Sequence, residues 1–188
     1  MDKTRDNLYV ALIHYPVLNK QQGTIGSAVT NIDLHDIARA GRTFGVRGYY
    51  VVTPYEDQQT LTNKIVGHWT EGGGGKRNPD RKNALELIRV VDSFEAVVED
   101  IKQERNQEVI TVGTSANAGD HAMSTKDFQR QLDTNASHVI LFGTAWGLAA
   151  ELMDACDIQL EPIKGAGGYN HLSVRSAASI YLDRITNG

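Results

Sequence analysis

Cysteine is almost absent from this chain. Cys156 stands alone in 188 residues, so no intrachain disulfide can form and a reducing compartment is expected. Long hydrophobic runs are missing too. The longest apolar window, Val139 to Ala150, stops well short of the ~18 residues that a membrane span needs. The opening Met1-Asp2-Lys3-Thr4-Arg5-Asp6-Asn7 runs straight into a strand pattern, without the layout of a signal peptide. A cytoplasmic protein with no membrane partner is the expectation. Nor is there an excess of positive charge: 19 Lys and Arg against 23 Asp and Glu leave a net charge of −4. The surface as a whole does not attract nucleic acid, and any such contact must use a local basic patch.

Several catalytic signatures are missing as well. Ser115 and Ser124 lie near His121 without a Gly-x-Ser-x-Gly elbow, which argues against acyl transfer. No Gly-Lys-Ser/Thr phosphate loop occurs. His14, His68, His121 and His138 are scattered and a single cysteine cannot build a zinc site, so no metal is expected.

What the chain does contain is ordinary globular material, 40% hydrophobic and 22% charged. At this length one domain over residues 1–188 is expected, burying roughly 70% of its unfolded surface. Short apolar runs alternate with amphipathic segments, the pattern of a parallel α/β sheet. Strands are predicted at about 8–14, 48–53, 87–91, 108–113, 138–143 and 158–163. Helices are predicted at about 33–44, 56–70, 94–105, 126–134, 148–155 and 171–185. In the last of these Val174, Ala177, Ala178, Tyr181, Leu182 and Ile185 share one helical face. The segment 72–82, with Gly72-Gly73-Gly74-Gly75 followed by Lys76, Arg77, Arg81 and Lys82, reads as a mobile loop, its cations free to grip phosphates or simply solvated. Trp69 and Trp146 read as packing residues, Trp146 with a second option beside a ligand loop.

The most informative stretch is the last fifty residues. Val139-Ile140-Leu141-Phe142 leads into Gly143-Thr144-Ala145-Trp146-Gly147. Ile158-Gln159-Leu160-Glu161-Pro162-Ile163 leads into Lys164-Gly165-Ala166-Gly167-Gly168-Tyr169-Asn170-His171-Leu172-Ser173-Val174. A parallel sheet presents ligands at the carboxyl ends of its strands, and glycine there permits either a tight turn or close backbone approach to a flat ligand. Thr114-Ser115-Ala116-Asn117 ends the preceding strand at the same edge.

Leu172-Ser173-Val174 before Ala177-Ala178 resembles the terminal motif of the SPOUT family of RNA methyltransferases. Asp33 through Arg39 to Phe44-Gly45 is similar to that family's first motif, with Arg39 at its arginine and Asp33 at its asparagine. The likeness runs from Leu8 to Ile185, and is nearest to a compact branch related to, and sometimes fused to, tRNA guanine-N1 methyltransferases. It implies a three-layer α/β/α fold with a six-stranded, mainly parallel sheet and a C-terminal trefoil knot. It also implies a homodimer, the cofactor S-adenosylmethionine (SAM), and methyl transfer to RNA, tRNA or rRNA. SAM contacts would fall on Thr114, Leu141, Phe142, Gly143, Thr144, Gly147, Ile163, Gly168, Tyr169 and Leu172, and catalytic roles on Arg39, Asn170, His171 and Ser173. The sequence departs from ribose-methylating members in lacking a glutamate within Thr144-Ala145-Trp146, and His171 occupies the family's terminal asparagine position. Two rivals stand beside this reading. One is a non-catalytic SAM- or RNA-binding accessory domain. The other is a doubly wound nucleotide-binding enzyme, weakened because Asn170 holds the third glycine position of its fingerprint.

Overall fold

The computed structural model describes residues 5–117, 119, 121–132 and 135–187. The chain runs β1 (Arg5–Ile13), a small hairpin of β2 (Val17–Leu18) and β3 (Thr24–Ile25), α1 (Asn31–Thr43) and β4 (Val46–Val52). Next come α2 (Glu56–Thr70), α3 (Gly73–Arg77), α4 (Pro79–Leu85), β5 (Ile88–Val91), α5 (Phe94–Arg105) and β6 (Val109–Gly113). The last part holds α6 (Thr125–Gln131), β7 (Ser137–Gly143), α7 (Ala150–Asp154), β8 (Ile158–Gln159) and α8 (Val174–Asn187).

Six strands form one sheet in the order β5-β4-β1-β7-β6-β8, and every ladder in it is parallel. The central strands explain themselves. Leu8 through Ile13 of β1 and Val139 through Leu141 of β7 have no exposed surface, as a parallel strand covered on both faces requires. Alternate residues then serve two cores. Leu8, Val10, Leu12 and Tyr49 pack with Leu34 and Ile37 of α1, Leu85 of α4, Phe128 of α6 and Leu182 of α8. Tyr9, Ala11, Ile13 and Tyr50 pack with Val97 and Ile101 of α5 and Leu152 of α7. The expected three layers and parallel sheet are both present.

Four segments differ most from expectation, each for a local reason. The segment 72–82 is no loop but α3 and α4. A Cβ on Gly74 would lie 2.9 Å from Trp69 Cε3, and one on Gly75 only 2.2 Å from the Trp69 carbonyl, so these glycines let α3 seat on α2. Asn78 caps α4, its side chain accepting from Arg81 N at 3.0 Å, with Pro79 in the first turn. The last helix starts at Val174 rather than at 171, because Ser173 caps it: its hydroxyl accepts from Ser176 N at 3.3 Å. α7 starts at Ala150 instead of 148, because Leu148 pairs with Val17 of the hairpin. The sixth strand is cut to two residues, since Glu161 N donates to the Met123 carbonyl and leaves β6. The predicted end of α6 at 133–134 lies outside the described residues.

Candidate functional site

At the carboxyl ends of β1, β6 and β7 lies a cleft of about 660 Å³. Four segments wall it: the turn after β7, the loop after β6, residues 170–175 leading into α8, and residues 27–33 leading into α1. Phe142, Ile163, Leu172, Ala177 and Tyr181 supply an apolar surface. Phe142 and Tyr181 face each other at 6.0 Å between ring centres. The Tyr181 hydroxyl donates to the Glu161 carbonyl at 2.7 Å, tying α8 to the segment after β8 that carries Ile163.

The β7 turn is tightly specified. Gly147 N donates to the Thr144 carbonyl at 2.9 Å, Ala145 sits at φ 51° and Gly147 at φ 109°. Trp146 N and Leu18 N bond across to the Leu18 and Gly147 carbonyls at 3.0 and 2.9 Å, pinning the turn to β2. A Cβ on Gly143 would come within 2.5 Å of Leu148 N and 2.7 Å of Gly147 C. The glycine therefore serves the turn's own closure.

Behind the turn runs a chain of hydroxyls whose direction the geometry fixes. Thr144 Oγ1 donates to the Ile13 carbonyl at 3.0 Å, so its single proton is used. Ser27 Oγ must then donate to Thr144 Oγ1, at 2.5 Å, and accept from His14 Nδ1, at 2.9 Å. His14 is thus the Nδ1–H tautomer, fully buried, with Nε2 free of hydrogen bonds among the described residues. Burial pushes its pKa down to about 4, against the pull of Asp33. It is neutral at physiological pH, and its role is to clamp the loop before α1 to the turn after β7.

Asp33 is the one carboxylate lining the cleft among the described residues. It accepts from the Thr30 hydroxyl and from Arg175 Nη1 at 3.3 Å. Arg175 Nε also approaches Asp36 at 3.6 Å, and Asp36 in turn meets Arg39 Nη1 at 3.9 Å. A ladder of alternating charge therefore leads from the cleft onto the outer face of α1.

Of the residues singled out by sequence, Thr114, Phe142, Gly143, Thr144, Gly147, Ile163, Asn170, His171, Leu172 and Ser173 all line the cleft. Asn170 Nδ2 donates to the Ala116 carbonyl at 3.2 Å and bridges two of its walls. The Ser173 hydroxyl is engaged with Ser176 Oγ and N as the cap of α8. Three of the expected cofactor contacts lie off the lining. Leu141 is buried in the sheet, where its carbonyl accepts from Thr114 Oγ1 at 2.7 Å. Gly168 is exposed, and Tyr169 is 79% exposed against His171. Arg39 also lies outside the lining, its side chain 59% exposed. Sequence reasoning missed Ser27, Thr30 and Arg175, and saw Asp33 only as a motif substitution. Ser27 and Thr144 meet across 117 residues of chain, and nothing local signals that pairing.

A protein named tRNA (guanine-N(1)-)-methyltransferase from Oleidesulfovibrio alaskensis is 46% identical over 180 residues, 95% of this chain but 42% of that relative. The chain thus spans less than half the length of that curated relative. An uncharacterized protein of Aquifex aeolicus is 36% identical over 181 residues, covering 96% of this chain and 88% of its own length. Among solved structures, the SpoU methyltransferase AviRb from Streptomyces viridochromogenes shares the fold, with a TM-score of 0.59 and 19% identity over 96% of this chain and 59% of that one. A family described as SAM-dependent RNA methyltransferase matches residues 7–187. With a cleft at the strand ends built from both glycine-bearing loops, the chain belongs to the SAM-dependent RNA methyltransferase family.

Proposed function

We propose that this chain transfers a methyl group from SAM to RNA, with tRNA the first substrate to test, and that SAM occupies the cleft at the ends of β1, β6 and β7. The observation carrying this reading is the cleft itself, which joins the 143–147 turn to residues 170–175. The residues fit the group. Phe142, Ile163, Leu172 and Tyr181 suit a flat adenine and an apolar methylene chain, and the hydroxyls of Ser27 and Thr114 and the Asp33 carboxylate suit polar and cationic ends. SAM supplies a methyl already activated on a sulfonium, so no metal is called for. The chain's own part is to exclude water, align an RNA atom for in-line attack and take up a proton. Asp33 and His171 are the cleft groups able to accept one.

The reading extends to a cytoplasmic homodimer whose C-terminal loops form a trefoil knot. Support for the dimer is that Arg39 stands outside the cleft of its own chain, so it can serve a target nucleotide in the cleft of a second copy. Ile32 and Leu172, 52% and 47% exposed, flank the same region. The guanine-N1 specificity named for the longer relatives belongs to proteins of which this domain matches 42%, so the target atom here stays open between base and ribose.

One observation favours the accessory reading: the Ser173 hydroxyl is spent on a helix cap and Thr144-Ala145-Trp146 holds no acid. Titration calorimetry with SAM and a methyl-transfer assay on RNA separate the two. SAM binding with transfer supports the enzyme, SAM binding without transfer to any RNA supports the accessory domain, and no SAM binding removes the enzyme and leaves only an RNA-binding accessory domain.

A further inference from the structure

The α3–α4 segment has more built into it than the fold needs. Gly72, Gly74 and Gly75 each exclude a side chain. A Cβ there would meet the His68 carbonyl at 2.7 Å, His68 Nε2 at 2.8 Å and the Trp69 carbonyl at 2.2 Å. Gly73, by contrast, has nothing within 4 Å of its Cβ position. Gly74 and Gly75 therefore accept the entropic cost of helix formation, with Gly72 in the turn before them, so that α3 can lie against the end of α2.

Trp69 is the anvil of this arrangement. Arg81 stacks over its indole at 5.0 Å and His35 of α1 meets its edge at 5.4 Å. α4 is fastened to α1 by Arg42, whose Nη2 and Nε donate to the Asn83 carbonyl at 2.6 and 3.0 Å. The polar face of α1, which carries Arg39, thus continues onto α4 and α3.

What this rigid arm displays is positive charge. Lys76 and Arg77 are exposed and form no ion pair among the described residues. Lys82 meets Glu86 only at 3.9 Å. Cations beside α5 are treated differently: Arg47 and Arg89 are neutralised by Glu104 at 2.7 Å each, and Arg89 again by Asp100 at 3.0 Å. In a chain of net charge −4, Lys76 and Arg77, without ion pairs among the described residues and set on a glycine-built, stacked support, are a local attractor for a polyanion.

We propose that α3–α4 is an RNA-backbone docking arm, holding phosphates flanking the nucleotide presented to the cleft, without reading sequence. This rests on the reading that the chain acts on RNA. Arg81 on Trp69 sets the arm's shape, and Lys76 and Arg77 meet the phosphates.

The test is equilibrium binding of an unstructured RNA to the intact chain across a salt series, with SAM affinity measured on the same samples. Replacing Lys76→Gln and Arg77→Gln together should weaken RNA binding by about tenfold at ~0.1 M salt. It should also flatten the log–log salt slope by about 1.4, two single-strand phosphate contacts. SAM affinity should be unchanged. Gly75→Val should lose RNA affinity with every charge retained, because it lifts α3 from Trp69, whereas Gly73→Ala should bind like the parent. An unchanged slope and affinity in the double variant, with the parent binding RNA, overturns the arm and leaves the function intact. A parent that binds no RNA at low salt overturns the function and the arm with it.

Discussion

Arg39 and Arg42, neighbours on α1, should fail in opposite ways when shortened to alanine. Arg39 is 59% exposed, and its one ion pair, to Asp36 three residues away, spans 3.9 Å. Surface pairs of that kind contribute about 0–0.5 kcal/mol, so Arg39→Ala should leave the melting temperature within about 2 °C of the parent. Its proposed work is on the RNA, where one or two charge-assisted hydrogen bonds to a phosphate or base edge are worth ~1.5–3 kcal/mol each. At a factor of ten per ~1.4 kcal/mol, methyl transfer should fall at least about tenfold, and Arg39→Lys should rescue poorly because an ammonium cannot reproduce the fork. Arg42 is spent on the fold, with Nε and Nη2 both on the Asn83 carbonyl. Arg42→Ala should cost about 1 kcal/mol and lower the melting temperature by about 2–4 °C, with a smaller loss of activity. Thermal melts and single-turnover transfer on a confirmed RNA substrate read both quantities. Should Arg39→Ala keep full activity, Arg39 is a solvated charge and the burden passes to Asn170 and His171.

Gly143→Val should reduce SAM affinity at least about tenfold while the protein stays folded, because its Cβ would press on Leu148 N at 2.5 Å and distort the turn; unchanged calorimetric affinity would place the cofactor elsewhere. Ser173→Ala should cost about 1 kcal/mol as a lost helix cap but leave methyl transfer within about threefold, and a hundredfold loss would restore a catalytic role. Folding holds His14 neutral with a pKa of about 4, so between pH 6.5 and 4 the unfolded chain binds the extra proton. Stability present above pH 6.5 should therefore fall by about 3 kcal/mol as pH drops through that window. His14→Gln should flatten that part of the profile in urea titrations, and a slope equal to the parent's would assign it to other groups.

Much of the fold is legible in the sequence because two-sided burial leaves an unbroken apolar run, as in Leu8–Leu12 and Val139–Phe142, and because α1 keeps Leu34, Ile37 and Ala38 on one face. The 143–147 turn and residues 170–173 are legible for a related reason: glycine and polar punctuation directly follow a strand. What could not be read depends on distant chain. Gly72-Gly73-Gly74-Gly75 looks like a loop by propensity, yet α3 starts within it, where Gly74 and Gly75 pack on His68 and Trp69. Ser27 carries no local mark of a site until His14 and Thr144 close on it from both sides. Arg175 sits inside a recognised motif, yet its partner Asp33 is 142 residues away. Tyr169, expected beside the cofactor from its motif, is 79% exposed and off the cleft lining.

The cleft between the 143–147 turn and residues 170–175 is proposed to hold SAM for methyl transfer to RNA. The decisive experiment incubates the purified chain with methyl-labelled SAM and unmodified tRNA, or rRNA in a parallel sample, then digests the RNA and identifies the labelled nucleoside by mass spectrometry. One labelled nucleoside should form with the parent and be absent with Gly143→Val. Tight SAM binding with no label in tRNA or rRNA would contradict it and leave a cofactor-binding accessory domain.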